Sequence, residues 1–241
     1  MRKTEKQRLD RFVSNQLNIS RSEVKTHIRR GKVSVSGRVE RDPSLIIDVS
    51  AAVVEYNGAK IEYKKNVYII MNKPKGVLSA SNDKSRETVV DLVPSELRRT
   101  TLFPVGRLDK DTTGLLIITD DGEFAHNCIA PKKGISKVYE ALLDGPITPE
   151  MPDKFMSGVI LADGTPCKSA KLQDLGDNRV RITITEGKYH QIKRMFGVFG
   201  LGVNELHRVS IGDLVLPEHL KEGECEEISA GNIKKILKTA F

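Results

Sequence analysis

Asp109 is the first candidate for a catalytic residue in this chain. It lies in the string G-R-L-D-K-D-T-T-G-L-L at 106–116, two residues after Arg107 and shortly before an apolar run that begins at Leu115. A carboxylate at the entrance of a buried strand is costly unless it is paired or takes part in a reaction. We expect residues 111–114 to shape a turn, because threonine offers local hydrogen bonds and glycine bends tightly. The string fits either a structural turn before a strand, with an ordinary ion pair between Arg107 and Asp109, or a catalytic carboxylate.

Two other strings carry residue types that could assist a carboxylate. K-V-Y-E at 137–140 places Tyr139 inside an otherwise apolar strand pattern. E-G-K-Y-H-Q-I-K-R-M-F at 186–196 begins a helix in which polar and basic side chains surround an apolar stripe. Each string alone also fits a structural role, as a core tyrosine with a bonded hydroxyl or as a solvated helix face. A chemical role depends on whether the strings meet in the fold.

Several common kinds of site are absent from the sequence. There is no G-x-x-x-x-G-K-[ST] nucleotide loop and no G-x-S-x-G elbow. The glycines at 197, 200 and 202 have the wrong order for a dinucleotide fingerprint, and the five histidines show no metal-ligand spacing with cysteines or acids. We therefore expect an activity that needs neither a metal ion nor an organic cofactor.

The composition predicts a soluble globular protein, and the length allows two domains or one domain with an appendage. The chain has 241 residues and no run of about 18 apolar residues, so we expect no membrane span. Its basic, polar start lacks the apolar segment of a secretory signal. Three widely spaced cysteines, Cys128, Cys167 and Cys225, offer neither a disulfide framework nor a C-x-x-C pair. These features favour a cytoplasmic protein with reduced thiols.

The net charge of +7 is unevenly distributed. Residues 1–60 hold 13 Lys and Arg against 7 Asp and Glu, a net charge of +6, whereas residues 61–241 hold 26 and 25, a net charge of +1. Concentrated positive charge attracts polyanions, and counterion release from phosphates drives nucleic-acid binding. The first quarter of the chain is therefore a candidate RNA-binding segment, with a solvated basic surface as the alternative.

The pattern of this first segment predicts two helices and a hairpin. An apolar stripe at helical spacing runs through Leu9–Leu17. Ser20 can cap a second helix through the amide of Glu23, and Gly31 can follow its end in a left-handed conformation. Alternating valines then flank Ser36-Gly37, a pattern typical of a tight hairpin.

The same segment resembles an S4 domain, a small RNA-binding module. The resemblance rests on R-L-D-R-F at 8–12, S-R-S-E-V-K at 20–25 and G-K-V-S-V-S-G-R-V at 31–39. It implies an αα-hairpin that grips phosphates by charge, since aromatic residues are scarce. The candidate RNA-binding residues here are Arg21, Lys25, Arg29, Arg30 and Lys32. We expect the S4 domain over 1–60, a linker over 61–66 and a second domain over 67–241.

The second domain is predicted to be α+β. Strands and helices are mixed without the βαβ rhythm of a parallel sheet, so we expect a mixed, mainly antiparallel sheet flanked by helices. Residues 79–101 are polar and predict a surface loop. The clearest predicted elements are strands at Val67–Met71, Leu115–Ile118, Val138–Leu143 and Val180–Ile184 and a helix over Ile192–Phe199.

Over essentially its whole length the chain resembles the pseudouridine synthases of the RsuA type, in which a catalytic domain follows an S4 domain. The matching strings are N-K-P-K-G at 72–76, G-R-L-D-K-D-T-T-G-L at 106–115, K-V-Y-E at 137–140, E-G-K-Y-H-Q-I-K-R-M-F at 186–196 and E-L-H-R at 205–208. The resemblance implies isomerisation of a specific uridine to pseudouridine in ribosomal RNA. Nothing is added or lost in that reaction, so no cofactor is required.

The resemblance also implies roles for individual residues. Asp109 would be the single catalytic carboxylate, and Lys193 would hold it ionised by opposite charge. Tyr139 would stack on the flipped base, and Arg107 would fill the gap or hold a flanking phosphate. Further contacts with RNA or the pocket are implied for Lys188, His190, Gln191 and Arg208. Lys188 replaces a more usual arginine, so a phosphate contact there would be looser.

The substrate implied by the resemblance is small-subunit 16S rRNA, because T-D-D-G at 119–122 is RsuA-like. Relatives that act on large-subunit 23S rRNA share most motifs, so that substrate is the alternative. Two other classes stay open: a non-catalytic RNA-binding or ribosome-assembly protein, and a hydrolase that uses Asp109 with Asp111. The presence of all three catalytic candidates argues against the first, and the i, i+2 spacing of the aspartates argues against the second. We expect a monomer.

Overall fold

The chain forms two units, each of which contains β-sheet. The computed structural model describes residues 5–99, 101–229, 231–233 and 236. The described residues up to Val67, together with Pro94–Leu102, form the first unit, and the other described residues form the second.

The first unit extends beyond its predicted boundary. Ile61 packs in its core, and the Gln16 side chain bonds the N–H and the carbonyl of Lys64 at 3.0 and 3.2 Å. Arg99 donates to the same carbonyl at 2.9 Å. Because these bonds hold it, the segment predicted as a linker belongs to the first unit. Pro94–Leu102, which begins inside the predicted surface loop and ends just after it, belongs to this unit too.

The first unit contains the predicted helices and hairpin. Its elements are β1 (Lys6–Arg8), α1 (Leu9–Leu17), α2 (Arg21–Arg29), β2 (Val33–Val35), β3 (Arg38–Glu40), β4 (Ile46–Asp48), β5 (Val54–Tyr56) and β6 (Ala59–Lys60). Ser20 accepts a hydrogen bond from the Glu23 N–H at 3.3 Å, and Gly31 follows α2 with φ 73°. Ser36 and Gly37 both have positive φ between β2 and β3, as a tight hairpin requires.

A single apolar core joins the helices and strands of the first unit. β3, β2, β5 and β6 lie in this order in an antiparallel sheet, and β1 pairs with β4. Phe12 of α1 and Val24 and Ile28 of α2 are buried in this core with Val54 of β5. The inward face of α2 is therefore apolar, and its basic residues lie outside the core.

The second unit is built on a large sheet. Its elements are β7 (Tyr68–Lys73), β8 (Phe103–Pro104), β9 (Thr113–Thr119), α3 (Gly122–Ile129), β10 (Lys137–Leu143), α4 (Met151–Ser157), β11 (Lys171–Gly176), β12 (Arg179–Ile184), α5 (Gln191–Gly197), β13 (Val203–Ile211), β14 (Leu214–Val215) and β15 (Cys225–Glu227). A short 3₁₀ turn covers Pro131–Lys133. Among the described helices, none has both the length and the apolar composition needed to cross a bilayer.

The sheet confirms the predicted α+β class. Its strand order is β11-β12-β10-β13-β9-β7-β15, with β8 paired to β9 and β14 to β13. All of the described pairs are antiparallel except β9 with β13. Helix α5 buries Ile192, Met195 and Phe196, as its predicted apolar stripe requires, and the Phe196 ring lies 5.0 Å from that of Phe155 in α4.

Strand β9 organises the residues around the site. All seven of its residues are buried, which explains the apolar run in the sequence. It pairs with β7 on one side and with β13 on the other, so that Gly114 lies opposite both Lys73 and Arg208. The loop that carries Asp109 leads directly into this strand.

Candidate active site

Residues from four stretches of the second unit line one small cavity of about 80 Å³. The loop between β8 and β9 contributes Asp109, β10 contributes Tyr139, and α5 contributes Lys193. The other lining residues are Arg107, Leu108, Thr112, Ile184, Gly187, Lys188, His190, Gln191, Ile192 and Leu206. The structure thus brings the three predicted catalytic residues to one place.

The segment after β7 fixes the loop that carries Asp109. Ser79 Oγ donates to the Leu108 carbonyl at 2.9 Å and accepts from the Leu108 N–H at 3.1 Å. The Gly76 N–H donates to the Lys110 carbonyl at 2.8 Å. These bonds anchor the backbone on both sides of Asp109, while its side chain stays 31% exposed.

Lys73 is a buried lysine that contacts the same loop. Its side chain is fully buried, and Nζ donates to the carbonyls of Pro74, Lys110 and Thr112 at 2.9, 3.4 and 3.1 Å. Burial lowers the pKa of Lys73 to about 8, although nearby carboxylates favour its charged form. The N-K-P-K-G string therefore positions the loop of the candidate carboxylate.

Gly114 is needed for a close approach of two strands. Thr113 and Gly114 already belong to β9, so the turn predicted over 111–114 is wrong, and the hydrogen-bonded turn runs from the Asp109 carbonyl to the Thr112 N–H at 3.1 Å. Gly114 has φ 101°, and a Cβ there would lie 2.6 Å from the Arg208 nitrogen and closer still to its carbonyl oxygen. Only glycine fits between these paired strands without displacing the backbone of β13.

Asp109 faces His190 at the start of α5. Its Oδ1 lies 3.5 Å from His190 Nε2. His190 has a positive φ of 49°, which is uncommon outside glycine, and its ring stacks on the Tyr189 ring with centroids 3.9 Å apart and planes at 16°. Tyr189 is 76% exposed. An accessible aromatic face therefore lies beside the histidine that contacts the carboxylate.

Lys193 pairs with Asp111 and not with Asp109. Its Nζ lies 2.5 Å from Asp111 Oδ2, and this bond holds the pKa of the Asp111 carboxyl below its ordinary value. The expected ion pair between Lys193 and Asp109 is therefore wrong for this structure, because the more exposed aspartate engages the ammonium. Lys193 still lines the cavity with Asp109, so its catalytic role stays a prediction.

A buried arginine supports Tyr139. Arg208 is 3% exposed; its Nη1 donates to the Tyr139 hydroxyl at 3.3 Å and its Nε donates to the Leu115 carbonyl at 2.7 Å. The guanidinium carbon lies 5.8 Å from the centroid of the Tyr139 ring. Of the two contacts expected for Arg208, with RNA or with the pocket, this geometry favours the pocket.

Glu186 organises the turn before α5. It is buried and accepts hydrogen bonds from Lys188 Nζ at 2.6 Å, Gln191 Nε2 at 2.8 Å and the Lys168 N–H at 3.0 Å. Burial alone raises the pKa of Glu186, but these donors outweigh it and the pKa lies below its ordinary value. Gln191 is 4% exposed and also accepts from the Lys188 N–H at 2.9 Å. Its side chain therefore supports the cavity wall, which favours the pocket contact of the two that were expected.

The remaining predicted residues lie at surfaces. Arg107 is exposed and lines the cavity, a position that fits either of its expected roles. In the first unit, Arg21 bonds both oxygens of the buried Asp10 carboxylate at 3.0 Å, so its guanidinium has a structural partner. Lys25 is half-buried. The exposed candidates are Arg29, Arg30 and Lys32.

Four residues that shape the site were not predicted from the sequence. Lys73 and Glu186 lie inside the strings that carried the resemblance, so their place in those strings was the available signal. Tyr189 could have been found as an aromatic residue in an otherwise polar helix start. Ser79 lies in a polar segment where nothing distinguishes it from its neighbours.

The arrangement can perform chemistry at a single carboxylate. Asp109 is the one carboxylate among the described residues that line the cavity. Hydrolysis of a glycosidic bond uses two facing carboxyl groups, and Asp111 is instead bonded to Lys193, which argues against the hydrolase alternative. Across the described ranges, no group of three or more His, Cys, Asp or Glu side chains is placed to hold a metal ion.

Comparison with known proteins gives matches to both units. The family model of RNA pseudouridylate synthases matches residues 67–197, and that of the S4 domain matches residues 7–53. An uncharacterised RNA pseudouridine synthase of Bacillus subtilis is 40% identical over 92% of this chain and 95% of its own length. The ribosomal small subunit pseudouridine synthase A of Haemophilus influenzae is 34% identical over 96% of this chain and 100% of its own length.

A solved structure shares the fold over nearly the whole chain. It is the crystal structure of a pseudouridylate synthase, with a TM-score of 0.68 and 34% identity, and the match covers 95% of this chain and 99% of that one. Sequence strings, fold and family models therefore agree. This chain belongs to the RNA pseudouridylate synthase family and carries an S4 domain in its N-terminal part.

Proposed function

We propose that this protein converts one uridine of small-subunit ribosomal RNA to pseudouridine, with Asp109 as the catalytic carboxylate. The observation that carries the proposal is the single cavity that Asp109, Tyr139 and Lys193 line together. The small-subunit substrate is supported by the name of the Haemophilus influenzae relative and by T-D-D-G at 119–122.

The reaction exchanges one bond of the uracil for another. The N1–C1′ bond breaks, the uracil turns while it stays bound, and C5 joins C1′; the proton lost from C5 is balanced by the proton gained at N1. Asp109 starts this sequence either by attacking C1′ or by removing a ribose proton so that uracil leaves. Both routes need only one carboxylate, because no water has to be activated.

The cavity walls suit a detached uracil. Ile184, Ile192 and Leu206 give the cavity apolar sides that limit the access of water to the reacting carbon. Tyr139 offers its ring to the base, and Arg107 enters the space that the base leaves in the RNA stack. Lys193 adds positive charge near the carboxylate even though its direct partner is Asp111.

The S4 domain supplies contacts with the RNA backbone in this proposal. On α2, Lys25 is half-exposed and Arg29 is exposed, and the exposed Arg30 and Lys32 follow the end of this helix. Such contacts position the RNA without reading its sequence. The proposed setting is the cytoplasm, where a monomer acts on ribosomal RNA.

A mapping experiment tests the reaction and the substrate together. Unmodified transcripts of 16S and 23S rRNA are incubated with the protein, treated with carbodiimide and alkali, and scanned by primer extension. We expect one new stop in 16S rRNA with the wild-type protein and none with Asp109→Asn.

The other outcomes identify the alternatives. A stop confined to 23S rRNA would move the substrate to the large subunit and leave the chemistry in place. If both transcripts bind the protein but acquire no stop, and a 16S rRNA precursor particle offered as substrate also acquires none, the non-catalytic RNA-binding alternative is favoured.

A further inference from the structure

A second cavity of about 140 Å³ lies next to the catalytic cavity. Arg107, Tyr139 and Gly187 line both cavities, so the two share a wall. The second cavity is also lined by Lys137 of β10 and Arg208 of β13. None of the reaction steps above uses this space.

The second cavity carries positive charge without a matching carboxylate. Three cations, Arg107, Lys137 and Arg208, line it, and none of its described lining residues is Asp or Glu. Burial lowers the pKa of Lys137 to about 8, and the neighbouring Arg208 charge acts in the same direction. Cations held together in a partly buried space repel one another and are stabilised when an anion enters.

Arg208, which lines this cavity, has one side-chain donor without a hydrogen-bond partner among the described residues. Arg208 is 3% exposed, and its Nη2 has no hydrogen-bond partner in the described part of the chain, whereas Nε and Nη1 are both used. A buried donor of this kind is costly unless a ligand accepts its bond. The guanidinium fork and a lysine ammonium are the donor types that proteins use for phosphate oxygens.

We infer that this cavity binds a backbone phosphate of the RNA beside the uridine that occupies the catalytic cavity. This inference rests on the proposed function, which makes RNA the anion presented at the shared wall. A phosphate bonded to Arg208 Nη2 would also fix the guanidinium whose Nη1 holds the Tyr139 hydroxyl. The site would therefore couple the correct position of the RNA backbone to the position of the Tyr139 ring, on which the base stacks.

The first test needs no RNA and no catalysis. Inorganic phosphate is titrated into the full-length protein at pH 7 and followed by ³¹P line broadening. Lys137→Met is expected to bind phosphate about tenfold more weakly than the wild type, because a charge-assisted hydrogen bond is lost. Lys137→Arg keeps the charge and should retain binding, which separates loss of charge from loss of fold.

Lys171→Met is the matched control for this titration. Lys171 is an exposed lysine on β11 of the same sheet and does not line the cavity. It should leave phosphate binding unchanged. Wild-type phosphate binding by Lys137→Met, or a wild-type protein that binds no phosphate, would overturn the assignment of this cavity as an anion site.

The second test asks whether the phosphate belongs to RNA. The affinity for a 16S rRNA fragment is measured over a range of salt concentrations for the wild type, Lys137→Met and Lys171→Met. One lost phosphate contact should reduce the salt slope of Lys137→Met by about 0.7, with no change for Lys171→Met. An unchanged slope for a variant that has lost phosphate binding would identify a free-anion site and overturn the RNA assignment.

The outcome of these two tests can be interpreted whether or not the protein forms pseudouridine. Loss of phosphate binding by Lys137→Met supports the anion site even if no pseudouridine forms in the mapping experiment. Conversely, pseudouridine formation with unaltered phosphate binding by Lys137→Met would support the function and reject this site.

Discussion

Asp109 and Asp111 are two residues apart but differ in what surrounds them. Asp111 is 65% exposed and its carboxylate is engaged by Lys193, which lowers its pKa. Asp109 is 31% exposed, lines the cavity and has the His190 ring 3.5 Å away. Asp111 does not line the cavity and its carboxylate is bonded to the Lys193 ammonium, so Asp111 cannot replace Asp109 as the reacting carboxylate. The two aspartates therefore have separate roles in the proposed mechanism.

Asp109→Asn should lower pseudouridine formation by on the order of 10⁴-fold or more, because the amide neither attacks C1′ nor accepts a proton. RNA affinity should change little, since the backbone anchors at Leu108 and Lys110 do not involve the side chain. The measurement is tritium release from C5-labelled uridine in 16S rRNA, with RNA affinity by filter binding.

Asp111→Asn is the control for this substitution. Loss of an exposed ion pair costs only about 0–1 kcal/mol, so activity should stay within about tenfold of the wild type. Full activity of Asp109→Asn together with loss of activity in Asp111→Asn would reverse the assignment of the two carboxylates.

At the scale of elements, strand β9 is the part on which the site depends. It lies between β7 and β13, and the residues opposite Gly114 are Lys73 on one side and Arg208 on the other. Lys73 fixes the loop of Asp109, and Arg208 supports Tyr139. A displacement of this one strand would therefore move two parts of the cavity together.

Gly114→Ala should destabilise the protein by about 3 kcal/mol or more, because the new Cβ overlaps the Arg208 backbone at a left-handed φ. Urea unfolding of the full-length protein measures the change. Gly122→Ala is the matched control, since Gly122 has open space around its Cβ position and begins α3. It should alter stability by less than about 1 kcal/mol. Equal stabilities of the two variants would contradict the close strand approach.

Lys73 should make stability depend on pH in a defined direction. Its pKa is lowered from 10.5 to about 8 by burial, so between these values the unfolded chain holds a proton that the folded chain has released. Unfolding then takes up a proton, and the free energy of unfolding rises with pH across this interval. Well below pH 8 both states are protonated, and the full free-energy cost of burying the Lys73 ammonium then lowers the stability of the folded protein.

Lys73→Met should remove this part of the pH dependence and displace the loop of Asp109, which would lower activity by on the order of 100-fold. Urea unfolding from pH 7 to pH 9.5 provides the comparison, because groups shared by both proteins cancel in the difference. Lys75→Met changes an exposed lysine two residues away and should behave as the wild type. An identical pH dependence for Lys73→Met and the wild type would show that Lys73 titrates as in the unfolded chain.

At the scale of the whole molecule, chemistry and charge are divided between the two units. The residues that line the cavity all belong to the second unit, whereas the first 60 residues hold nearly all the excess positive charge. This division predicts that RNA affinity and catalysis can be changed independently.

Neutralising the basic residues on α2 and just after it should weaken RNA binding and reduce the dependence of that binding on salt. The variant replaces Lys25, Arg29, Arg30 and Lys32 by glutamine. Each lost contact with single-stranded RNA lowers the slope of log K against log[salt] by about 0.7, so up to about 3 in total. The control replaces four exposed cations of the second unit by glutamine: Lys154, Lys171, Arg179 and Lys221. A smaller change in slope for the first variant than for the control would place the phosphate contacts in the second unit.

Local patterns in the sequence determined much of the fold. The apolar stripe of α1, the Ser20 cap of α2, the hairpin at Ser36-Gly37 and the buried run of β9 were all predicted and are confirmed. Such features depend on side-chain periodicity and on hydrogen bonds between residues a few positions apart, which the sequence displays directly. The motif strings also sufficed to indicate the family and Asp109.

Only the tertiary structure decided which partners these residues have. Lys193 meets Asp111 across 82 positions of sequence, and Arg208 meets Tyr139 across 69. Such pairings follow from strand register and from the placement of α5, and a slip of one residue would change them all. Burial, which lowers the pKa of Lys73 and removes the Gln191 side chain from solvent, likewise depends on the assembled core. The sequence alone therefore indicated Asp109 as the candidate carboxylate, and packing determined its surroundings.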